Sequence, residues 1–436
     1  RKQFISYSQI ADLCNRIELS GKYNKDCKIF IVEIEPDAYS LIQSILDDEV
    51  SQGVPVRIMP DTHIGSDIVI GFTMPVSNML NPNHIGVDIG CGMLSAQLSD
   101  NFDDYSLKEL DEQIRATIPM SLNIHKSTQA SLNLNEVNTR LRYFNELWIE
   151  RYNTSFPLPE VTDKYISQLC KRVGIEEYIF FRSLGTLGGG NHFIEIGKDT
   201  EGKAWITIHS GSRNFGFKVC KYHIRQAKQQ PIDDSGSYAR KLDKLIETTT
   251  DKSQLPALIK QLKKENGLGV PRKYLQGEYM FNYCVDMVIA QTYAEVNRQT
   301  MLDLICNATG MTYADNISAI HNYIDFADFT IRKGAVAAYK GQKLVIPFNM
   351  RDGILICEGK GNADWNNSAP HGAGRILSRG KAKEQLSMEE FTKTMGGIYS
   401  TSVNKATLDE SPMAYKDAAL IERLIEPTVT VINRIK

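Results

Sequence analysis

The stretch G-V-D-I-G-C-G-M, residues 86–93, places one carboxylate and one thiol three residues apart among three glycines. Glycine lets a backbone turn tightly and approach a ligand closely. Asp88 and Cys91 on such a turn could both reach one metal ion. A thiolate can also bridge two ions, so Cys91 could be shared with a second metal. The stretch therefore indicates a metal-binding turn, and we expect buried sheets to surround it.

Composition narrows the class of protein. The chain has 436 residues, 42% hydrophobic and 23% charged, as in a globular protein with a large core. Its formal net charge is −2, so any nucleic-acid contact has to come from a local basic patch. The eight cysteines contain no CxxC pair, which favours reduced, mostly buried thiols in a cytoplasmic protein. No apolar run approaches the roughly 18 residues of a membrane span, so we predict no membrane segment.

Regular elements can be read from hydrophobic patterns. Short β-branched runs bounded by Gly, Asn or Asp predict strands, and these runs occupy residues 28–34, 67–76, 204–210, 343–348 and 353–359. Residues 106–118 open with a Ser-x-x-Glu capping box and repeat apolar residues at helical spacing. Residues 278–308 lack Gly and Pro and are apolar nearly all round, which predicts a buried helix.

These elements predict an α+β (mixed α/β) fold. No internal repeat or low-complexity linker marks a boundary, so we expect a single large domain over residues 1–436. The polar, lysine-rich stretch 224–275 predicts a helical insertion within that domain.

Four of the eight histidines lie at the edge of a predicted strand or helix, and three of these four have Gly within three residues: His192, His209, His321 and His371. A lone histidine is more often structural than a ligand. Four in such settings, together with Asp88 and Cys91, favour a metal site. Imidazole and thiolate suit Zn, Fe or Co, and the added carboxylate suits Mn as well. Two ions about 3.5–4 Å apart are the usual clamp for phosphoryl chemistry.

Eight glycine- and histidine-rich motifs follow one another between residues 59 and 417. They are MPDTHIGSDIVIG (59–71), GVDIGCGM (86–93), GTLGGGNHFIEI (185–196), HSGSRNFG (209–216), HNY (321–323), RKGA (332–335), GKGNADWNNSAPHGAGR (359–375) and DESPMAYKD (409–417). In content and order they resemble the motifs of the RtcB family of GTP-dependent RNA ligases. Any one motif is weak support, but eight in order identify the chain as a member, in a divergent branch.

The resemblance implies a metal centre and a nucleophile. The family holds two Mn²⁺ ions per chain, bridged by the cysteine of GVDIGCGM. By similarity, the first ion takes Cys91, His209 and His321, and the second takes Asp88, Cys91 and His192. His371, in HGAG, would attack the α-phosphate of GTP, release pyrophosphate and carry GMP on a ring nitrogen.

The resemblance also implies the reaction. GMP would pass to an RNA 3′-phosphate to form RNA-(3′)pp(5′)G, and an RNA 5′-hydroxyl would then displace GMP. A 2′,3′-cyclic phosphate would be opened first at the same site. The substrates would be RNA and GTP, in RNA repair or tRNA splicing, and the family default is a cytoplasmic monomer.

Candidate nucleotide and RNA contacts follow from the same motifs. The GTP-binding candidates are Asn191, His192, Phe193, Ile194, Glu195, His321, Asn322, Pro347, Phe348, Asn349, Met350, His371, Gly372, Ala373, Gly374 and Tyr415. The RNA-binding candidates are Arg213, Arg375, Arg379 and Lys381. A charge run such as the one holding the last three is usually a solvated face. His63 is either a support of the site or a structural residue.

The chain departs from the family pattern near the nucleotide. A Pro-Gly-Ser-Met turn reads Pro347-Phe348-Asn349-Met350, and a serine slightly downstream reads Ile354. A Gly-Lys-Gly reads Gly65-Ser66-Asp67, and the sequence leaves open whether Lys436 aligns with the family's final lysine. The departures bear on guanine specificity and RNA-end preference and leave the metal ligands intact.

Two other functions remain open from the residues. A two-metal phosphodiesterase or RNA-end hydrolase would need the same ligands but would not guanylylate His371. A non-catalytic RNA-binding relative would not need the complete ligand set.

Overall fold

The structure is a computed structural model that describes residues 16–230, 237–265 and 273–436. Its strands are β1 (Ile17–Leu19), β2 (Cys27–Ile29), β3 (Val56–His63), β4 (Ile70–Pro75), β5 (Met79–Leu80), β6 (Gly92–Asn101), β7 (Phe193–Lys198), β8 (Lys203–Ser210), β9 (Leu275–Gln276), β10 (Tyr313–Ile320), β11 (Asn322–Asp325), β12 (Thr330–Lys333), β13 (Ala335–Ala337), β14 (Lys343–Asn349), β15 (Gly353–Gly359), β16 (Ser368–Pro370) and β17 (Val429–Ile435).

Helices connect and cover these strands. The α-helices of the described residues are α1 (Pro36–Leu46), α2 (Leu107–Thr117), α3 (Leu134–Tyr152), α4 (Asp163–Val173), α5 (Glu177–Arg182), α6 (Arg213–Gln229), α7 (Ser237–Thr248), α8 (Leu255–Glu265), α9 (Gly277–Thr309), α10 (Arg379–Gln385), α11 (Met388–Thr394) and α12 (Ala418–Leu424). Of these helices, none is both long and apolar enough to cross a lipid bilayer.

Three larger sheets carry the architecture. One is antiparallel throughout, in the order β10-β6-β8-β7. The second is mixed, in the order β1-β2-β3-β4-β12-β11, with β2 and β3 as its parallel pair. The third is β14-β15-β17, and a short β13-β16 ladder lies between sheets. These mixed sheets and helices confirm the predicted α+β fold.

Helix α9 forms the centre of the core. Of its 33 residues 19 are buried, and they lie on all faces of the helix, which confirms the predicted buried helix over 278–308. It packs against α2, α3, α6 and strand β8. A helix with apolar residues all round has to be surrounded by protein, and here it lies under the sheet that bears the metal-binding turn.

The other predicted elements differ mainly at their ends. Strands 204–210, 343–348 and 353–359 are confirmed by β8, β14 and β15. The predicted strand 28–34 is wrong beyond Ile29, because the chain turns at residues 30–34 after a three-residue strand. Helix α2 follows Ser106 as predicted, but the Ser106 side chain makes no capping hydrogen bond.

The lysine-rich stretch 224–275 contains the end of α6 and the helices α7 and α8. Residues 231–236 and 266–272 within it lie outside the described residues. The bounds of a helical insertion and the single-domain organisation stay predictions.

Candidate metal centre and nucleotide site

The candidate metal ligands come from one edge of the antiparallel sheet. Cys91 immediately precedes β6, and His192 immediately precedes β7. His209 is the penultimate residue of β8, and His321 immediately follows β10. Because neighbouring strands run in opposite directions, the starts of β6 and β7 meet the ends of β8 and β10 at the same edge. Residues as much as 230 positions apart therefore become neighbours (Cys91 to His321).

The glycine-rich turn shapes this edge. The Cys91 N–H donates to Asp88 O at 3.2 Å, which closes the turn, and the His321 N–H donates to Cys91 O at 2.8 Å. Asp88 packs directly on the backbone of Gly211, where an added Cβ would lie 2.1 Å from Asp88 Oδ1. A side chain at position 211 would therefore displace the carboxylate, which explains the glycine of HSGS.

The side chains converge in two overlapping sets. Cys91 Sγ lies 3.3 Å from His209 Nε2, which lies 3.3 Å from His321 Nε2. Cys91 Sγ also lies 3.6 Å from His192 Nε2, which lies 3.0 Å from Asp88 Oδ2. Cys91 is thus common to a set with His209 and His321 and to a set with Asp88 and His192.

The hydrogen bonds behind these side chains suit a bound cation. His209 Nδ1 lies 2.9 Å from Asn191 O, and His192 Nδ1 lies 2.8 Å from Leu187 O. A carbonyl can only accept, so each Nδ1 donates, and the neutral rings carry their lone pairs on Nε2. Lone pairs of nitrogen, sulfur and carboxylate oxygen then face one another, which a cation between them would favour. Backbone carbonyls that orient imidazoles in this way are usual behind metal-binding histidines.

Electrostatics point the same way. Burial, reinforced by His192, lowers the pKa of His209 to about 3, and burial lowers that of His321 well below its ordinary value. Both rings therefore stay in the metal-binding neutral form. Burial raises the pKa of Asp88, but its neighbours, His192 first among them, outweigh burial and the net pKa is lowered, so Asp88 stays a carboxylate. Burial and Asp88 raise the pKa of the Cys91 thiol well above its usual value, so a cation would be needed to hold the thiolate.

His371 approaches the same centre from a different element. It follows β16, and its ring centroid lies 4.8 Å from that of His321. Its Nδ1 lies 2.7 Å from Oδ2 of Asp61, a fully buried carboxylate on β3. The carboxylate accepts from Nδ1–H, which leaves the lone pair of the neutral ring on Nε2. Asp61 was missed at the sequence level, although it lies in the quoted motif MPDTHIG.

Gly334 makes room for His371. It has φ of +63°, and an added Cβ would lie 3.1 Å from His371 Cε1. Its N–H donates to His321 O at 2.6 Å, so the RKGA turn joins the loops of His321 and His371. The His63 ring, whose pKa burial lowers to about 4, bonds through Nδ1 to Asp61 O at 3.0 Å. His63 therefore contacts the backbone of Asp61, the residue whose side chain holds His371.

Two further supporting residues that the sequence did not indicate, Asn297 and Arg298, lie in α9. Arg298 is fully buried, and its Nη1 donates to Gly90 O at 2.7 Å and to Ser210 O at 2.8 Å. The adjacent Asn297 bonds the backbone of Thr186 and Gly211. These two side chains tie three ligand-bearing loops to one rigid helix. A buried helix carries no local signal for such a role, because its partners are distant in sequence.

The NHFIE candidates divide between two faces of β7. Ile194 packs into the hydrophobic cluster with Leu94 and Ile208, so its side chain belongs to the core. Glu195 lies on the other face with Phe193, whose ring centroid is 5.5 Å from that of His209. Burial raises the pKa of Glu195 to about 7. The side chains of Phe193 and Glu195 therefore share one face of β7, and on this face Phe193 contacts His209 of the candidate metal centre.

The divergent Pro347–Met350 segment is largely committed to packing. Phe348 is 3% exposed and lies in the hydrophobic cluster beneath β14, at the position where the register with β15 shifts. Asn349 Oδ1 accepts from the N–H groups of Arg351 and Asp352, both at 3.0 Å. An added Cβ at Gly372 would lie 3.0 Å from Pro347 O, so the HGAG loop packs on this segment. The structure brings the segment beside the His371 loop but uses Phe348 and Asn349 internally.

The C-terminal lysine lies close to the same region. The Lys436 N–H donates to Lys198 O at 2.8 Å, and Lys436 O accepts from the Lys198 N–H at 2.7 Å. The end of the chain therefore pairs with the end of β7, three residues beyond Glu195. Lys436 therefore lies beside the NHFIE strand.

The predicted RNA contacts differ in their partners. Arg375 bonds Glu410 Oε2 at 3.3 Å, with its guanidinium 5.1 Å above the Tyr415 ring, and Arg379 bonds Asp409 Oδ2 at 3.0 Å. Lys381 is exposed. The positive charges after HGAG are therefore largely offset by Asp409 and Glu410, which the sequence could not indicate.

Arg213 lies nearer to the metal centre than the other three. It begins α6, and its Nη2 donates to Ser121 O at 2.7 Å and its Nε to Thr186 Oγ1 at 2.9 Å. Burial lowers its pKa, and this is partly offset by the negative charge of Asp88.

The nucleotide candidate Asn322 lies beside the His371 loop. Its Oδ1 accepts from the Gly334 N–H at 3.0 Å.

Comparison with known proteins gives a consistent result. A family model described as tRNA-splicing ligase RtcB matches residues 50–431. The RNA-splicing ligase RtcB of Escherichia coli K12 is 28% identical over 404 residues, which cover 87% of this chain and 88% of the relative. The tRNA-splicing ligase RtcB of Pyrobaculum aerophilum is 24% identical over 479 residues, covering 92% and 91%. The RNA-splicing ligase RtcB of Mycobacterium tuberculosis is 24% identical over 429 residues, covering 84% and 91%.

The match spans all eight motifs, and the cluster of Cys91, His192 and His209 offers a possible site for a metal ion. Identities of this size over nearly the whole chain fit a divergent branch, as predicted. The chain belongs to the RtcB family.

Proposed function

We propose that the protein is a GTP- and Mn²⁺-dependent RNA ligase that joins 3′-phosphate or 2′,3′-cyclic phosphate ends to 5′-hydroxyl ends. The observation that carries the proposal is the combination of two donor sets sharing Cys91 with an Asp61-held histidine beside them. A hydrolase would need the donor sets alone. A histidine whose Nδ1 is held and whose Nε2 keeps its lone pair adds a nucleophile.

Cys91, His209 and His321 would hold one ion, and Asp88, Cys91 and His192 the other. When bound, the ions supply charge stabilisation at phosphate oxygens. The remaining chemistry belongs to the chain. Asp61 keeps the proton of His371 on Nδ1, so that Nε2 can form the P–N bond to the α-phosphorus of GTP while the P–O bond to pyrophosphate breaks.

The later steps need no new residue. The 3′-phosphate oxygen of the RNA attacks the same phosphorus, the P–N bond breaks, and Nε2 regains its lone pair. The 5′-hydroxyl oxygen then attacks the RNA 3′-phosphorus and gives up its proton to solvent. The bond from that phosphorus to the bridging oxygen breaks, and GMP leaves with this oxygen. Backbone N–H groups of the HGAG loop (371–374) would approach phosphate, because glycine removes side-chain bulk there.

Recognition of guanine would fall to Glu195, with Lys436 nearby. Guanine presents N–H donors on its Watson–Crick edge, which a carboxylate can accept, whereas adenine offers an acceptor at the corresponding ring nitrogen. Asn191, Phe193, Asn322 and Tyr415 would complete the pocket. The cytoplasmic location and the monomeric state stay predictions.

The test uses GTP labelled at the α-phosphate, with Mn²⁺ and a nicked RNA stem-loop of defined ends. The wild-type protein is expected to retain acid-labile label and to seal the nick with GTP. His371→Ala should bind metal normally and lose the label, yet still seal RNA whose 3′ end already carries GMP. His125→Ala is the histidine control, since His125 bonds Gly185 O and is neither a proposed metal ligand nor the proposed nucleophile.

Turnover of phosphodiester substrates without protein-bound label would favour the two-metal phosphodiesterase instead. Loss of sealing of the pre-activated RNA by a folded, metal-loaded His371→Ala protein would show that His371 also acts in the last step.

A further inference from the structure

Helix α6 has an unusual charge composition. Its 17 residues contain no Asp or Glu and five basic residues, in a chain whose net charge is −2. The basic residues are Arg213, Lys218, Lys221, Arg225 and Lys228. A charge imbalance confined to one helix is a local feature that the overall composition conceals, and it is the kind of patch that a nucleic acid requires here.

The last four cations lie on one face. At 3.6 residues per turn, they fall within an arc of about 80°, and they extend over about 15 Å along the helix. Lys221, Arg225 and Lys228 are exposed. Among the described residues, none of the four forms an ion pair with a carboxylate. Helix α10 differs, because its Arg379 and Lys383 both pair with Asp409.

An aromatic side chain stands among these cations. Phe217 is 41% exposed, and Lys221 Nζ lies 5.7 Å from the centroid of its ring. Exposed aromatic rings interleaved with cations are how proteins hold single-stranded nucleic acid, with bases on the rings and phosphates on the cations.

The face begins at the metal centre. Arg213 opens the helix directly after the HSGS segment that holds His209. Ser212 Oγ donates to Ile89 O, and an added Cβ at Gly216 would lie 3.4 Å from Ile89 N. The first turn of α6 therefore packs on the Asp88–Cys91 turn, and the cations lead away from it.

We propose that this face of α6, made of Phe217, Lys218, Lys221, Arg225 and Lys228, holds the phosphate backbone of an unpaired RNA strand leading to the joined end. The proposal rests on the proposed function, because it names how the substrate of that same site is held. Charge complementarity and continuity with the metal centre select RNA as the occupant, and Phe217 stacks on one of its bases.

The experiment measures binding of an unpaired RNA oligonucleotide with a 3′-phosphate, without GTP, at several salt concentrations. The variant Lys221→Gln/Arg225→Gln/Lys228→Gln is compared with Lys108→Gln/Lys340→Gln/Lys343→Gln, which removes three exposed lysines outside α6. The α6 variant should bind about tenfold or more weakly near 0.1 M salt. The plot of log affinity against log salt should become less steep by about two, because a variant that has lost three phosphate contacts releases fewer counterions on binding.

Guanylylation by GTP alone, in the absence of RNA, separates the two proposals. The α6 variant should label with GTP like the wild type, because its changes are outside the nucleotide site, while its KM for RNA in ligation rises and its kcat is retained. Wild-type protein that takes no label would reject the proposed function, whatever the binding result. Unchanged affinity and salt slope in an α6 variant that labels normally would reject the α6 proposal. Loss of labelling in that variant would also reject it, since the effect would then lie at the metal centre.

Phe217→Ala supplies an independent readout. It should weaken binding of the unpaired strand several-fold and leave the salt slope unchanged, because no charge is removed. Equal weakening for a fully paired RNA duplex, or none for the unpaired strand, would contradict stacking on a base.

Discussion

The metal side and the nucleotide side of the site meet at His371 but differ in how their side chains are used. On the metal side, Asp88, Cys91 and three histidines converge, and backbone carbonyls behind His192 and His209 accept from their Nδ1–H groups. On the nucleotide side, Phe348 fills the core and Asn349 bonds its own turn. The first region offers donor atoms that could hold a metal ion, whereas the side chains of the divergent segment in the second region are packed and hydrogen-bonded within the protein.

The largest effect is expected from Cys91→Ala, which removes the one side chain common to both donor sets. Ligation should fall by more than about a thousandfold, since loss of a single electrostatic stabiliser alone costs about 10²–10³. Bound manganese, measured by elemental analysis of the dialysed protein, should fall with it. Cys91→Ser should fare little better, because a hydroxyl ionises far less readily than a thiol.

Cys170→Ala is the matched control for Cys91, since Cys170 is equally buried but lies in the hydrophobic core. Full ligation by Cys91→Ser in Mn²⁺ would rule out a thiolate shared by two metal ions. The thiol of Cys91 would then be as dispensable for the chemistry as the divergent side chains on the nucleotide side.

Asp61→Asn should have the next largest effect, confined to one step. The amide would donate to His371 Nδ1 and so place the ring proton on Nε2, where the lone pair is needed. Guanylylation should slow by about 10²–10⁴-fold, as in other carboxylate-oriented histidines, in single-turnover labelling with GTP.

Sealing of RNA already carrying GMP should be nearly unchanged in Asp61→Asn, because that step does not use the His371 lone pair. Asp103→Asn, on an exposed carboxylate, serves as control. An equal loss in both steps would mean that Asp61 supports the metal centre as a whole.

On the nucleotide side, a moderate, pH-dependent effect is expected from Glu195. Burial raises its pKa to about 7, so the carboxylate that would accept from guanine forms only as the pH rises through 7. The Glu195-dependent part of GTP affinity should strengthen by about tenfold between pH 6 and pH 8 and level off above. Titration calorimetry of wild type and Glu195→Gln would isolate it, since ionisation of GTP itself is common to both. Parallel pH profiles would exclude Glu195 from recognition.

The smallest effect is expected from Asn349→Ser, which restores one residue of the family turn. It shortens a side chain that accepts from Arg351 and Asp352, so the free energy of unfolding should fall by about 1 kcal/mol. The rate of guanylylation should change by less than about threefold. Denaturant unfolding measures the change in stability, and GTP labelling of the same sample measures the rate. A large gain in GTP affinity would show that the hydrogen bonds of Asn349 within its own turn keep this position from binding GTP.

Local patterns in the sequence predicted the elements that depend on neighbours along the chain. The apolar run 278–308 predicted α9, and the runs 204–210 and 353–359 predicted strands, because burial and β-branching act over a few residues. The run 28–34 misled for the same reason: its apolar residues Phe30 and Ile31 are buried, but in a turn and not in a strand. Hydrophobicity reports burial and leaves the hydrogen-bonding pattern open.

By itself, the sequence determined the chemical types present: one thiol and one carboxylate on a glycine turn, histidines beside glycines, and eight motifs in family order. The tertiary structure decided their partners. Asp61 beside His371, Arg298 behind the ligand loops, and Asp409 against Arg379 all join residues 30 or more positions apart. Pairing of antiparallel strand ends and packing on a buried helix bring these groups together. Such contacts depend on the whole chain closing around its core, so no local pattern of residues encodes them.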